Sequence, residues 1–224
     1  MMQKNQIITT KDGYKTLFSE QYHEPYHSQN GAIAEANLVY INAGLDYFIK
    51  NNTQHSYSVF ELGFGTGLNA WLSAIYATEN NVTVNYVGLE KYPIETTVVN
   101  ELNYVNHAPS YSNLFCEINE VKWNENVDIN SFFSLTKINQ DITEFSFAEN
   151  SFDVIYFDAF SPAHQPEIWE KSIFEKLYFA MKNKAILTTY CSKGIVKRTL
   201  KELGFKVNAL SGPPRKREMI RAEK

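Results

Sequence analysis

Two cysteines, Cys116 and Cys191, are all that the 224 residues contain, and no CxxC spacing occurs. A disulfide-stapled scaffold and a cysteine-built zinc site are thereby excluded. The five histidines show no ligand spacing either. No apolar run approaches the ~20 residues of a membrane-spanning helix, and the opening MMQKNQIITTKDGYK lacks the apolar core of a secretory signal. Glycine (10) and proline (7) are too sparse for a flexible linker or low-complexity tract. Gly-x-Ser-x-Gly is absent, so an esterase lacks its nucleophile elbow. What is present is ordinary globular material: 44% apolar, 21% charged and 14% aromatic residues. One soluble, cytoplasmic domain spanning 1–224 is expected.

The scarcest charge is arginine. All four, Arg198, Arg215, Arg217 and Arg221, fall in the last quarter, and the lysines follow the same bias. Residues 1–170 carry a formal charge of −14 and residues 171–224 one of +10, within an overall −4. An acidic body with a basic end can still hold a polyanion. The run Arg215-Lys216-Arg217 is its most concentrated part, because guanidinium forks match phosphate oxygens.

Along the chain, residues 1–50 read as a polar, aromatic N-terminal extension ending in a helix from Ala32 to Phe48. Strand and helix signals then alternate: strand 58–62, helix Leu68–Thr78, strand Asn85–Glu90, and a helix from Pro93 to about Asn106. Residues 114–140, with LFCEI and SFFSLTKI, suggest a small β-hairpin insertion. DVIYFDAF (153–160) is a buried strand, EIWEKSIFEKLYFAM (167–181) a helix, and AILTTY (185–190) a strand. Helix Ser192–Leu203 and strands Phe205–Leu210 and Glu218–Arg221 follow. The alternation predicts an α/β fold, a mostly parallel sheet with helices on both faces. Ligands should bind outside the carboxyl ends of its strands.

Three constellations fall at those ends. Glu61-Leu-Gly63-Phe64-Gly65-Thr66-Gly67 follows the first strand; glycines there permit a tight turn and close approach of a ligand to the backbone. Glu90, 27 residues beyond Gly63, ends the next strand, where a carboxylate can take both ribose hydroxyls. The pattern is ExGxGxG, and the negative Glu61 would repel a pyrophosphate while suiting a cation such as the ammonium and sulfonium of S-adenosylmethionine (SAM). Asp141-Ile142, at the start of a fourth-strand region, is near where an adenine would sit, although Asp141-Ile-Thr-Glu144 also fits a capping box. Asp158-Ala-Phe-Ser-Pro162 ends DVIYFD and resembles the D/N-P-P-Y element of enzymes that methylate amines. A fixed carboxylate would stabilise the positive charge that builds on a nitrogen as it takes a methyl group. With an ordinary pKa, Asp158 would orient the amine rather than abstract its proton.

Taken together, ELGFGTGLN, GLEKYP, FDAFSPAHQPEIW, TTYCSKGIVKRTLKELGF, KREM and YHSQNGAIAE resemble the tRNA wobble-uridine aminomethyl methyltransferases of the MnmD type. The same domain forms the N-terminal half of bifunctional MnmC enzymes. The resemblance covers nearly the whole chain and is weakest over 114–140. It implies a Rossmann-like fold and transfer of a methyl group from SAM to the primary amine of 5-aminomethyl-(2-thio)uridine in tRNA. Glu61 to Gly67, Glu90, Lys91, Asp141 and Ile142 would line the SAM site. Asp158 would face the amine, with Tyr26 and Ser28 nearby and Arg215, Lys216 and Arg217 beside the nucleotide. No metal is implied, and no FAD-binding second domain is expected. The chain departs from the family at Ala159, where a glycine is usual, and at the Gly-Pro-Pro run before Arg215. Methylation of a free small-molecule amine is an alternative, as are an NAD(P)-linked oxidoreductase and a non-catalytic RNA-binding module.

Overall fold

The computed structural model describes residues 5–224. A three-stranded antiparallel sheet comes first: β1 (Asn5–Thr9), β2 (Lys15–Ser19) and β3 (Glu24–Pro25). Helix α1 (Ala32–Ala36) then runs without a break through π-helical turns (Asn37–Asp46) into α2 (Tyr47–Asn51). The wider turns are unusual and are found most often at functional sites. This helix lies close against the main sheet because Gly44 has no side chain. A Cβ there would sit 3.0 Å from the Tyr156 ring.

The main sheet is built from β4 (Ser56–Leu62), β5 (Thr83–Glu90), β6 (Asn126–Asn130), β7 (Phe133–Asn139), β8 (Phe152–Phe157), β9 (Met181–Thr189), β10 (Lys206–Ser211) and β11 (Glu218–Glu223). Its spatial order is β10-β11-β9-β8-β4-β5-β7-β6. Strands β9, β8, β4, β5 and β7 are parallel; β6, β10 and β11 join antiparallel at the two edges. Helices α3 (Leu68–Asn80), α4 (Thr96–Val99), α5 (Ser112–Glu120), α6 (Lys171–Ala180) and α7 (Gly194–Glu202) complete the layers. Two apolar clusters result. One lies between the sheet and the N-terminal helix with α3 and α5; the other, around Phe157, Trp169 and Phe174, lies under α6 and α7. The chain leaves β4 first to one side and later to the other, so the crevice at the carboxyl ends of β4 and β8 is the topological switch point. No helix among the described residues is long and apolar enough to cross a membrane.

Three expectations are corrected. LFCEI lies in α5, not in a strand: Leu114, Phe115 and Ile118 share one buried face, with Phe115 edge-on to Trp71 of α3 at 5.5 Å. SFFSLTKI supplies β7, a regular parallel partner of β5 rather than part of an insertion, and only β6 is added outside it. The helix expected after Pro93 shrinks to α4, which spans only Thr96–Val99 and is closed by Asn100, a residue type that favours caps and turns, and to a 3₁₀ turn at Tyr104–Asn106.

Candidate active site

At the switch point lies a cavity of about 260 Å³. Gly63, Phe64 and Gly65 form its floor. Gly63 has φ +91°, and a Cβ there would meet the Asp158 carbonyl at 2.5 Å, so only glycine lets β4 and β8 end side by side. Tyr26, His27 and Ser28 close one side, with the Tyr26 ring over Gly65. Phe64 is backed by Lys137, a buried lysine that donates to the Asn119 carbonyl at 2.8 Å between the Phe64 and Trp123 rings. Burial pushes that ammonium down to about 8.

Glu90 reaches the cavity from the end of β5. One of its oxygens accepts the Gly65 amide at 3.0 Å and the other the Tyr92 amide at 2.9 Å. It therefore ties down the glycine loop while keeping lone pairs free for a ribose. Burial raises its pKa against the pull of those amides. Beside it, Lys91 and Asp141 form an ion pair at 2.7 Å, and Asp141 also accepts the Thr143 amide at 2.9 Å. Burial opposes ionisation of Asp141, but Lys91 and that amide outweigh it and hold the carboxyl low. Asp141 stands beyond the carboxyl end of β7 in a turn, neither opening a strand nor capping a helix. Ile142 is buried in the wall.

Asp158 sits at the end of β8 with both oxygens engaged. Tyr40, from the π-helical segment, donates to Oδ1 at 2.6 Å, and Asn69, in the first turn of α3, donates to Oδ2 at 2.8 Å. Burial nonetheless pushes the carboxyl up to about 7. This revises the expectation of an ordinary aspartate: near neutral pH Asp158 can both hold charge and accept a proton.

Not every expected residue reaches the cavity. Glu61 is completely buried beneath the loop, its oxygens accepting from Asn69 at 2.8 Å and Tyr86 at 2.7 Å. Burial raises its pKa strongly, with Asp158 adding to the effect. It thus supports Asn69, the residue that holds Asp158, instead of facing a ligand. Thr66 is buried and Gly67 is the N-cap of α3, and neither lines the cavity. The trio at the β10–β11 turn divides. Lys216 enters the cavity and pairs with Glu35 of α1 at 2.6 Å, whereas Arg215 and Arg217 stay exposed outside. Glu218 pairs with Lys197 of α7 rather than with its neighbour Arg217.

Sequence reasoning missed Tyr40, Asn69, Glu35 and Tyr190. Asn69 closes ELGFGTGLN, Glu35 closes YHSQNGAIAE and Tyr190 stands in TTYCSKG, but the motifs alone give them no role, and Tyr40 lies outside every motif. His27, one of the five histidines without ligand spacing, lies in the cavity wall: its Nδ1 is 2.9 Å from the Thr16 hydroxyl and 3.1 Å from that of Tyr104, and burial lowers its pKa to about 4.

Five carboxylates line the cavity, Glu24, Glu35, Glu90, Asp141 and Asp158, against two lysines, Lys91 and Lys216. That balance opposes a pyrophosphate and suits a ligand with a sulfonium and an ammonium. Glycine loop, ribose-height carboxylate and acid-rich crevice together fit SAM. Fold and site define a SAM-dependent methyltransferase.

Comparison with known proteins agrees. The family model described as S-adenosyl-L-methionine-dependent methyltransferase matches residues 106–224, and the chain belongs to that family. It is similar to the tRNA 5-methylaminomethyl-2-thiouridine biosynthesis bifunctional protein MnmC of Nitrosospira multiformis, with 28% identity over 92% of this chain and 35% of the relative. The protein of the same name in Leptospira interrogans is 29% identical over 96% of this chain and 34% of its own length. The chain thus spans about a third of these relatives. The crystal structure of MNMC2 from Aquifex aeolicus shares the fold, with TM-score 0.77 and 24% identity over 98% of this chain and 69% of that one.

Proposed function

We propose that this enzyme methylates the primary amine of a 5-aminomethyl-(2-thio)uridine at the wobble position of tRNA, in the cytoplasm, giving the methylaminomethyl nucleoside. The observation that carries the chemistry is Asp158, a carboxylate fixed by Tyr40 and Asn69 in the lining of an acid-rich crevice and pushed up to about 7 by burial. The name shared by the curated relatives supports the substrate.

SAM, when bound, supplies a methyl group made electrophilic by its sulfonium. Glu90 would hold its ribose, Asp141 and Ile142 its adenine, and the Gly63–Gly65 backbone the reacting end. The substrate amine enters largely as ammonium. Asp158 would take one proton, leaving the amine a lone pair for the methyl group that bound SAM would supply. Asp158, held by Tyr40 and Asn69, is neutral once protonated, and the positive charge developing on nitrogen is offset by the other carboxylates of the lining, Glu35 and Glu24 among them. The product leaves as the secondary ammonium, and Asp158 returns the proton it took to solvent. Tyr26, Ser28 and Phe160 would flank the uracil ring; Phe160 already stacks on Tyr22 at 4.6 Å and meets Tyr26 edge-on at 4.9 Å.

The RNA backbone would follow the basic rim beside the mouth. Lys193 precedes α7, Arg198 folds back to within 3.4 Å of where a Gly194 side chain would begin, and Arg215 and Arg217 are exposed on the adjoining turn. Lys197 pairs with Glu218 and Lys216 with Glu35, so neither is free for phosphate. The test is methyl transfer from labelled SAM to an anticodon stem-loop bearing an aminomethyl uridine. Transfer that weakens steeply as salt rises is expected. Transfer only to small free amines, indifferent to salt, would contradict the proposal.

A further inference from the structure

Among the residues lining the cavity, Lys216 occupies a peculiar position. Its ammonium lies 2.6 Å from Glu35 Oε2 and 4.0 Å above the centroid of the Tyr190 ring. Tyr190 is fixed there by donating its hydroxyl to the Ala159 carbonyl at 2.9 Å, one residue beyond Asp158. The Glu35 side chain is 10% exposed, so its charge is poorly hydrated and needs a cation. Both Glu35 and Lys216 are close enough to Asp158 to act on it electrostatically. An anionic oxygen on one side and an aromatic face on the other is a chemical description of a primary-ammonium site. The group now filling it is itself a primary ammonium at the end of a flexible stem, carried by a surface turn.

We infer that Glu35 and Tyr190 form the site that receives the substrate's ammonium, and that Lys216 is a built-in stand-in which the substrate displaces. This rests on the amine-methylation reading and deepens it by naming the residues that select a cationic amine. Held between Glu35 and Tyr190, the nitrogen would be within electrostatic reach of Asp158, the group that takes its proton. A neutral hydroxymethyl uridine of the same shape gains nothing from Glu35 or from the ring face. Lys216 keeps Glu35 compensated while the site waits, and it competes with every amine that enters.

The test is binding of the nucleoside 5-aminomethyluridine, by calorimetry on protein saturated with S-adenosylhomocysteine, with 5-hydroxymethyluridine as the neutral control. Lys216→Gln removes the competitor. Since apparent affinity is the intrinsic affinity scaled by the fraction of free sites, the amine should bind about five-fold tighter. Glu35→Gln should weaken the amine by about ten-fold or more, a loss typical of a charged hydrogen-bond partner. The hydroxymethyl control should change less than about two-fold in either variant, which a merely structural role would not produce. S-adenosylhomocysteine affinity reports that each variant is folded, and Glu35→Asp should restore part of the amine affinity. Weaker amine binding in Lys216→Gln would overturn the inference, as would equal effects on both nucleosides or no amine binding by any protein. Failure of the wild type to methylate the stem-loop would count against the proposed function instead, and the nucleoside titration reads the ammonium site independently of that outcome.

Discussion

Replacing Asp158 by asparagine should separate stability from catalysis. The carboxyl is raised from its ordinary 3.8 to about 7 by burial. The folded protein therefore holds this proton more tightly than the unfolded chain between about pH 4 and pH 7. The stabilisation tied to that proton is complete below pH 4 and disappears as pH rises through 7. Above 7 the wild type carries a desolvated charge. A shift of about three units corresponds to about 4 kcal/mol, and partial exposure of the residue reduces this to roughly 2–4 kcal/mol. Asparagine avoids that penalty, and its amide can be accommodated. With its oxygen turned toward Asn69 and its nitrogen toward Tyr40, the Tyr40 hydroxyl accepts from it and donates instead to the Phe157 carbonyl, 3.4 Å away. At pH 8 the Asn variant should equal the wild type or exceed it by up to about 2 kcal/mol, or about 4–8 °C in Tm. At pH 4 the two should converge or reverse. SAM affinity should change only a few-fold, while turnover should fall by on the order of 100-fold or more. The assays are thermal melts at pH 4, 6 and 8 and single-turnover methyl transfer. Undiminished turnover would refute the role given to Asp158, and a variant destabilised equally at every pH would refute its raised pKa.

Tyr40→Phe removes a donor to the ionised form of Asp158, so the acidic limb of the pH–rate profile should move upward by about one unit; an unmoved limb would show that Tyr40 does not tune this carboxyl. Glu90→Ala should weaken SAM by roughly 1.5–3 kcal/mol in calorimetry, since the ribose loses its acceptor and the Gly65 amide its anchor. Unchanged affinity would move the ribose elsewhere. Arg215→Ala combined with Arg217→Ala should flatten the logarithmic salt dependence of tRNA affinity by up to about two units and leave SAM binding alone, whereas parallel lines would put the RNA on another surface.

How much of this site could be read beforehand depended on sequence distance. The glycine loop, Glu90 and Asp158 each follow directly on an apolar strand, so a strand–turn pattern sufficed to bring them to the same edge of the sheet. The partners that set their chemistry come from far away: Tyr40 is 118 residues from Asp158, Asn69 is 89, and Glu35 is 181 from Lys216. No local pattern pairs them: packing of the N-terminal helix against the sheet brings Tyr40 and Glu35 to their partners, and the start of α3 beside the end of β8 brings Asn69 to Asp158. Glu61 misled for the same reason. Its motif promised a ligand-facing charge, but Tyr86 and Asn69 turn it inward. In α5, five apolar-rich residues of LFCEI were compatible with either period, and contact with Trp71 decided for helix.

The central claim is the transfer itself: one methyl group onto the exocyclic amine of a wobble uridine. Mass spectrometry of nucleosides from aminomethyl-uridine-bearing tRNA, incubated with the protein and methyl-deuterated SAM, tests it directly. The aminomethyl nucleoside should be converted to its labelled monomethyl derivative, with the label on the side-chain nitrogen. Label on a ring or ribose position, or an unchanged aminomethyl nucleoside in the presence of bound SAM, would contradict it.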